Sequence, residues 1–200
     1  MMRLIFATNN RNKVNEIRSL LDASRYELHS LEDAGIRQEI PEPHDTLEKN
    51  ALEKASVIYR LTGTPCFSED TGLEVEALNG EPGVRSARYA GEDSRPGANI
   101  DKLLDRMKGV SNRAARFRTV LCYIRQEGTW FFEGICRGTI LLQRRGGGGF
   151  GYDPVFVPEG SDRTFAEMEL AEKNQYSHRQ KATRQLLAFL ESGAAGKPEI

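Results

Sequence analysis

The chain has 200 residues, 38% hydrophobic and 28% charged, with a formal net charge of −1. That is an ordinary globular profile, and one domain over residues 1–200, built in two lobes, is expected. The near-zero charge lends no support to a nucleic-acid or membrane partner, so neither is expected.

A chain of this length buries a core without staples. Cys66, Cys122 and Cys136 sit inside apolar runs, with no metal-ligand spacing and an odd count. They read as buried thiols of a reducing compartment. The apolar start of the chain is too short for a signal peptide, and no run approaches a membrane span. A cytoplasmic location is expected.

Leu4, Ile5, Phe6 and Ala7 form a continuous apolar run and read as a buried strand. Thr8, Asn9, Asn10, Arg11, Asn12 and Lys13 follow, then Val14, Ile17, Leu20 and Leu21 at helical spacing. A helix over residues 12–22 is predicted. Its N-terminus, with free N–H groups, a positive dipole end and Lys13, can seat a phosphate. The alternative is a plain helix cap of Asn and Thr. Residues 26–31 read as a second strand.

Residues 38–45 carry Glu39, Glu42 and Asp45 among two prolines, so an extended irregular segment with candidate metal carboxylates is expected. The alternative is a solvated acidic loop. The next helix, residues 46–61, presents Leu47, Ala51, Ala55, Ile58 and Leu61 on one face. Asp45 with Glu48 resembles a capping box and Gly63 a stop, which leaves Glu42, held between Pro41 and Pro43, as the metal candidate.

Pro65, Cys66 and Phe67 read as a strand end that delivers Glu69 and Asp70, followed by Thr71 and Gly72. Adjacent acids backed by a glycine and faced by Arg85 and Arg88 suit a hard metal and an anionic substrate. A charged loop after an edge strand is the alternative. A polar, mobile linker is expected over residues 91–97, and Ile100, Leu103, Leu104 and Met107 mark another amphipathic helix. Residues 117–124 and 129–142 predict a long hairpin, with Trp130, Phe131 and Phe132 in the core or at a subunit interface.

Four glycines, residues 146–149, resist a packing explanation and read as a place of close approach or movement. Phe150, Gly151, Tyr152 and Asp153 after them look like a base-stacking platform with a polar reader, or else a flexible hairpin tip. Ser177 caps a final helix whose first turn holds His178 and Arg179. Cations are unfavourable at that end of the dipole, so they invite a functional reason. Residues 193–200 are expected to fray.

Four stretches stand in order: TNNRNK at residues 8–13, SEDTGLEVEALNGEPGVRSARYAG at 68–91, GGFGYDPVF at 148–156 and SHRQKA at 177–182. Together they resemble the inosine/xanthosine triphosphate pyrophosphatase family over nearly the whole chain. The resemblance implies an α/β fold with a long mixed β-sheet flanked by helices, two lobes and a central active-site cleft. It also implies a homodimer and Mg²⁺-dependent hydrolysis of ITP, dITP and XTP to the monophosphate and pyrophosphate. Carried over by motif, Thr8, Asn9, Asn10, Arg11, Asn12 and Lys13 would seat the phosphates. Asp70 would be general base and metal carboxylate, Glu42 a metal ligand, and Glu69 a further metal candidate. Thr71 would contact substrate. Phe150, Gly151, Tyr152 and Asp153 would hold the base, Lys173 would reach the phosphates, and His178 with Arg179 would read the purine. Glu69 stands where bacterial members commonly have Asp, Thr71 where Ser is frequent, and Gln180 where Gly is common.

Donor-only groups at the reader favour a 6-oxo purine over the 6-amino group of adenine, without excluding GTP. Two rivals share parts of the pattern: a Mg²⁺ hydrolase of pyrimidine triphosphates, and a nucleotide sensor, against which the retained pair Glu42 and Asp70 argues. The absence of GxxxxGKS/T argues against a P-loop kinase or GTPase.

Overall fold

The computed structural model describes residues 1–38, 40–92 and 95–193. Glu39, part of the linker expected over residues 91–97, and all of the expected tail except Gly193 lie outside the described residues. The elements are β1 (Met2–Phe6), α1 (Arg11–Arg18), β2 (Tyr26–His29), α2 (Leu47–Thr62), β3 (Cys66–Val75), β4 (Pro82–Gly83), α3 (Pro96–Arg106), β5 (Ala114–Arg125), β6 (Gly128–Ile140), β7 (Phe156–Pro158), α4 (Leu170–Tyr176) and α5 (His178–Glu191).

Among the described residues the sheet runs β2-β1-β3-β5-β6-β7, with β4 attached to β3. β1 lies parallel to β2 and β3, whereas β4 on β3 and β7 on β6 are antiparallel. The sheet is therefore mixed, as expected, and flanked by helices. No helix among the described residues is long and apolar enough to cross a membrane.

The chain divides into two compact units, and β3, β5 and β6 each contribute one stretch to either unit. The first holds residues 1–70, residues 119–134 and the chain from Arg179 onward. Its core joins Leu4 and Phe6 of β1, Val14 and Ile17 of α1, Phe67 of β3, and Ala182 and Leu186 of α5. Phe6 and Phe67 stack with ring centroids 4.6 Å apart. Trp130 is buried in the same core, 5.0 Å from the Phe189 ring, so it takes the core half of its two readings. The second unit holds residues 71–118 and 135–178. Its core joins Leu73 and Val75 of β3, Leu103 of α3 and Met107 at its C-cap, Phe117 of β5 and the ring pair Phe156 and Phe165.

Two local expectations are corrected. Thr46, not Asp45, caps α2: its hydroxyl accepts from the Lys49 N–H at 3.3 Å, while Gly63 closes the helix in the left-handed conformation. The acids Glu69 and Asp70 lie inside β3 rather than at its end, because the strand continues to Val75 and pairs with β4. A Cβ on Gly72 would stand 2.6 Å from the Gly83 carbonyl oxygen, so the glycine serves the close approach of β4.

Candidate active site

Within the first unit, β1 leads straight into the cap of α1. Asn10 is the N-cap; its side chain accepts from the N–H groups of Asn12 (3.0 Å) and Lys13 (3.2 Å). The Thr8 hydroxyl accepts from the Asn10 N–H at 3.1 Å. Those three backbone donors are therefore spent within the loop, as in the plain-cap reading. Asn9 and Arg11 are exposed, and Arg11 pairs with Glu32 at the surface. The Lys13 side chain turns inward to Glu69 Oε1 at 3.0 Å.

β3 then sets Glu69 and Asp70 side by side, and neighbouring strand residues project to opposite faces. Their surroundings differ accordingly. Glu69 receives two parallel hydrogen bonds from Arg179, Nε and Nη2 each at 2.7 Å, besides Lys13. Arg179 also donates through Nη1 to Glu16 of α1. Burial alone would raise the Glu69 carboxyl, but the Arg179 and Lys13 charges win and hold it well below the usual carboxylate range. The same two carboxylates overcome burial at Arg179 and raise its pKa.

Glu69 was expected near a metal, yet it is the bidentate partner of a guanidinium. Arg179 was expected at the purine, yet its guanidinium is clamped between Glu69 and Glu16 in the core. Three of the five guanidinium N–H donors of Arg179 thus go to Glu69 and Glu16.

Asp70 lies among uncharged and cationic donors from α2. Its Oδ2 accepts from Asn50 Nδ2 at 3.2 Å, and its Oδ1 lies 3.4 Å from Lys54 Nζ. Lys54, one turn after Asn50, also donates to Glu42 Oε1. Burial raises the Asp70 pKa; the Lys54 ammonium opposes this and the Glu42 carboxylate adds to it. Burial lowers the Lys54 pKa, but Asp70 and Glu42 outweigh it, and the net shift is upward.

Lys54, Asn50 and Glu16 escaped the sequence reading. A signal was present: Asn50 and Lys54 interrupt the apolar face of α2, and Glu16 stands between Val14 and Ile17 on the buried face of α1. A polar group on a buried stripe has a partner to find.

Glu42 and Asp70 converge on one cation, the Lys54 ammonium, and Glu42 keeps 30% of its side-chain surface in solvent. Two hard carboxylates meeting at one point, one of them open to solvent, fit Mg²⁺, which uses one or two carboxylates and completes its shell with water and phosphate oxygens. No group of three or more His, Cys, Asp or Glu residues suited to a metal occurs among the described residues.

In the second unit the glycine run takes the close-approach half of its reading at Gly146 and Gly149, while a Cβ on Gly147 would meet nothing within 4 Å. A Cβ on Gly146 would reach the Ala166 carbonyl carbon at 2.6 Å, and one on Gly149 would reach Asp153 Oδ2 at 2.2 Å; both glycines have positive φ. The turn brings Asp153 back under Phe150, whose N–H donates to Asp153 Oδ2 at 2.9 Å. Lys173 Nζ donates to the same oxygen at 2.7 Å and lies 4.9 Å from the Phe150 ring centre. Lys173, expected at the phosphates, is thus a buried partner of Asp153.

Tyr152 belongs to the core, and its hydroxyl donates to the Ser86 carbonyl at 2.9 Å. It therefore anchors the turn to the core. Phe150 and Gly151 remain partly exposed, and Thr71 is partly exposed in β3. The His178 ring stacks on Phe117 with centroids 4.7 Å apart and planes 16° apart. Phe150, Asp153, Lys173 and His178 thus share one unit, with an aromatic face, a carboxylate and a cation at hand.

The Ham1 family profile matches residues 4–189. A dITP/XTP pyrophosphatase of Porphyromonas gingivalis is 53% identical over 191 residues, covering 95% of this chain and 98% of that protein. Among solved structures, the Ham1 protein of Staphylococcus aureus superimposes with a TM-score of 0.87 at 35% identity, over 96% of this chain and 100% of that one. A HAM1 protein of Coxiella burnetii gives 0.88 at 34% identity, with the same coverage.

Proposed function

Because this chain belongs to the Ham1 family, we propose that it is a nucleoside-triphosphate pyrophosphatase, hydrolysing the deaminated purine nucleotides ITP, dITP and XTP to monophosphate and pyrophosphate. It thereby cleanses the nucleotide pool of the cytoplasm, and it works as a homodimer with Mg²⁺. The observation that carries the chemistry is Asp70: a buried carboxylate, raised in pKa, with one donor on each oxygen.

The reaction forms a bond from a water oxygen to the α-phosphorus and breaks the bond from that phosphorus to the α,β-bridging oxygen. Asp70 takes the proton from the attacking water. Its burial strengthens it as a base, and Asn50 and Lys54 keep its plane fixed. Pyrophosphate leaves with the bonding electrons, and the Lys13 ammonium offsets its charge. Glu42 and Asp70 would hold Mg²⁺, whose contribution when bound is to neutralise phosphate charge. The capped loop of residues 8–13 supports phosphate binding through the Lys13 side chain and the dipole of α1.

Base selection falls to the second unit. Phe150 offers a stacking face, and Lys173 and His178 supply donors for a 6-oxo group, with Asp153 fixing Lys173. The 6-amino group of adenine would set a donor against those donors, a mismatch worth about 10⁴-fold in a site built on hydrogen bonds. Arg179 acts one step back from the substrate, holding Glu69 and through it Lys13.

Pyrophosphate release with Mg²⁺ from ITP, dITP, XTP, GTP, ATP, CTP and UTP tests this reading. Strong turnover of ITP and XTP with little of ATP, lost in Asp70→Asn, is expected. Even turnover across all bases would discard the base reader, and binding without release would make the protein a nucleotide sensor.

A further inference from the structure

Asn50 sits on the buried face of α2, 1% exposed, one helical turn before Lys54. Its amide makes three hydrogen bonds. Oδ1 accepts from the His44 N–H at 2.9 Å, and Nδ2 donates to the His44 carbonyl at 3.2 Å and to Asp70 Oδ2 at 3.2 Å. Both N–H groups and the carbonyl are thereby used, so the amide orientation is fixed by its partners.

A side-chain amide that pairs with both backbone groups of one residue imitates an adjoining strand. It docks His44 onto α2 although the segment around it has no secondary structure of its own. His44 lies two residues after Glu42, and Pro41 and Pro43 flank that glutamate, each with φ locked by its ring. Fixing His44 therefore restricts where Glu42 stands.

The remaining N–H of Asn50 goes to the one Asp70 oxygen that Lys54 does not contact. Successive turns of α2 thus hold the two oxygens of Asp70 separately, while the same two side chains hold the Glu42 segment at His44 and at Glu42 itself. An asparagine serving only to satisfy the His44 backbone would not reach the carboxylate.

We infer that Asn50 is a positioning residue for the hydrolysis, locking the Glu42 segment and Asp70 into one mutual arrangement that receives a divalent cation with its triphosphate. This rests on the pyrophosphatase reading above. Asn50 acts through Asp70 and Glu42 and touches no reacting atom.

The test uses the full chain with Asn50→Ala, and with Asn50→Asp, which keeps the acceptor for the His44 N–H, loses both donors, to the His44 carbonyl and to Asp70, and sets a second carboxylate against Asp70. Three quantities are measured per folded molecule: kcat and KM for ITP, and Mn²⁺ affinity by EPR in the presence of α,β-methylene-ITP. Outer-shell partners of metal ligands are worth about 10- to 100-fold. Accordingly, Asn50→Ala is expected to lose about that factor in kcat and in Mn²⁺ affinity, with KM little changed. Asn50→Asp, the less disruptive shape, is expected to lose kcat by a similar factor. Wild-type kcat and Mn²⁺ affinity in either variant, whatever its thermal midpoint, would reduce Asn50 to a stabilising role and overturn the inference. Absence of pyrophosphate release by the wild-type chain would overturn the pyrophosphatase reading instead. In that case, wild-type Mn²⁺ affinity retained in Asn50→Ala would also sink the positioning role, and its loss would support it.

Discussion

Arg179→Leu removes the cation between two buried carboxylates. The side chains of Arg179, Glu69 and Glu16 are 2%, 0% and 8% exposed, so solvent screens none of them appreciably. Breaking a buried pair by deleting one partner costs about 3–5 kcal/mol, because a charge is left without compensation. Lys13 stays 3.0 Å from Glu69, which places the expected loss at the lower end, about 3 kcal/mol. Against a net stability of about 5–15 kcal/mol that is a large fraction. For a chain of this size it corresponds to about 6–12 °C in Tm.

The pH dependence carries the diagnostic sign. In the wild type the Glu69 carboxyl is held below its ordinary value of 4.5, so its contribution is complete above that pH and is lost as pH falls through the folded value. In the variant, burial without Arg179 pushes the same carboxyl upward. Its penalty is then largest above the raised value and fades as pH falls towards 4.5. Urea unfolding followed by Trp130 fluorescence at pH 7.5 and pH 5 reads both effects. The gap between wild type and variant is expected to be widest at pH 7.5 and to narrow at pH 5. A gap under about 1 kcal/mol at pH 7.5, the range of an exposed pair, or one that does not narrow on acidification, would refute the buried clamp.

Gly149→Ala would drive a Cβ to 2.2 Å from Asp153 Oδ2 at a backbone φ of +69°, so Asp153 and with it Lys173 must shift. ITP turnover is expected to fall at least about tenfold, with about 1–3 kcal/mol lost in urea unfolding; unchanged turnover would free the turn from the site. Thr46→Ala is expected to cost about 1 kcal/mol through the lost cap, and Asp45→Ala to cost little; the reverse order in thermal denaturation would restore Asp45 as the cap.

Local patterns carried much of this protein. The apolar run of β1, the helical spacing behind Asn10, the stop at Gly63 and the hairpin of β5 with β6 all follow from side-chain periodicity and turn residues, which act over a few neighbours. The family was legible for a related reason: its four motifs are short, contiguous and in order. What a contiguous pattern does not carry is which charge meets which.

Glu69 and Asp70 are adjacent acids in sequence, and reading them as one metal pair was natural. The alternation of β3 sends one to Arg179, 110 residues away, and the other to Asn50 and Lys54 of α2. Tyr152 and Lys173 likewise meet partners that no contiguous pattern names, Ser86 and Asp153. The glycine run left close approach and movement both open, and the Asp153 carboxylate standing where a Cβ on Gly149 would go decides for close approach there. Periodicity and motif order determined the elements and the family. Long-range ion pairing in a buried medium, where each charge must find a partner, decided which side chains those charges meet.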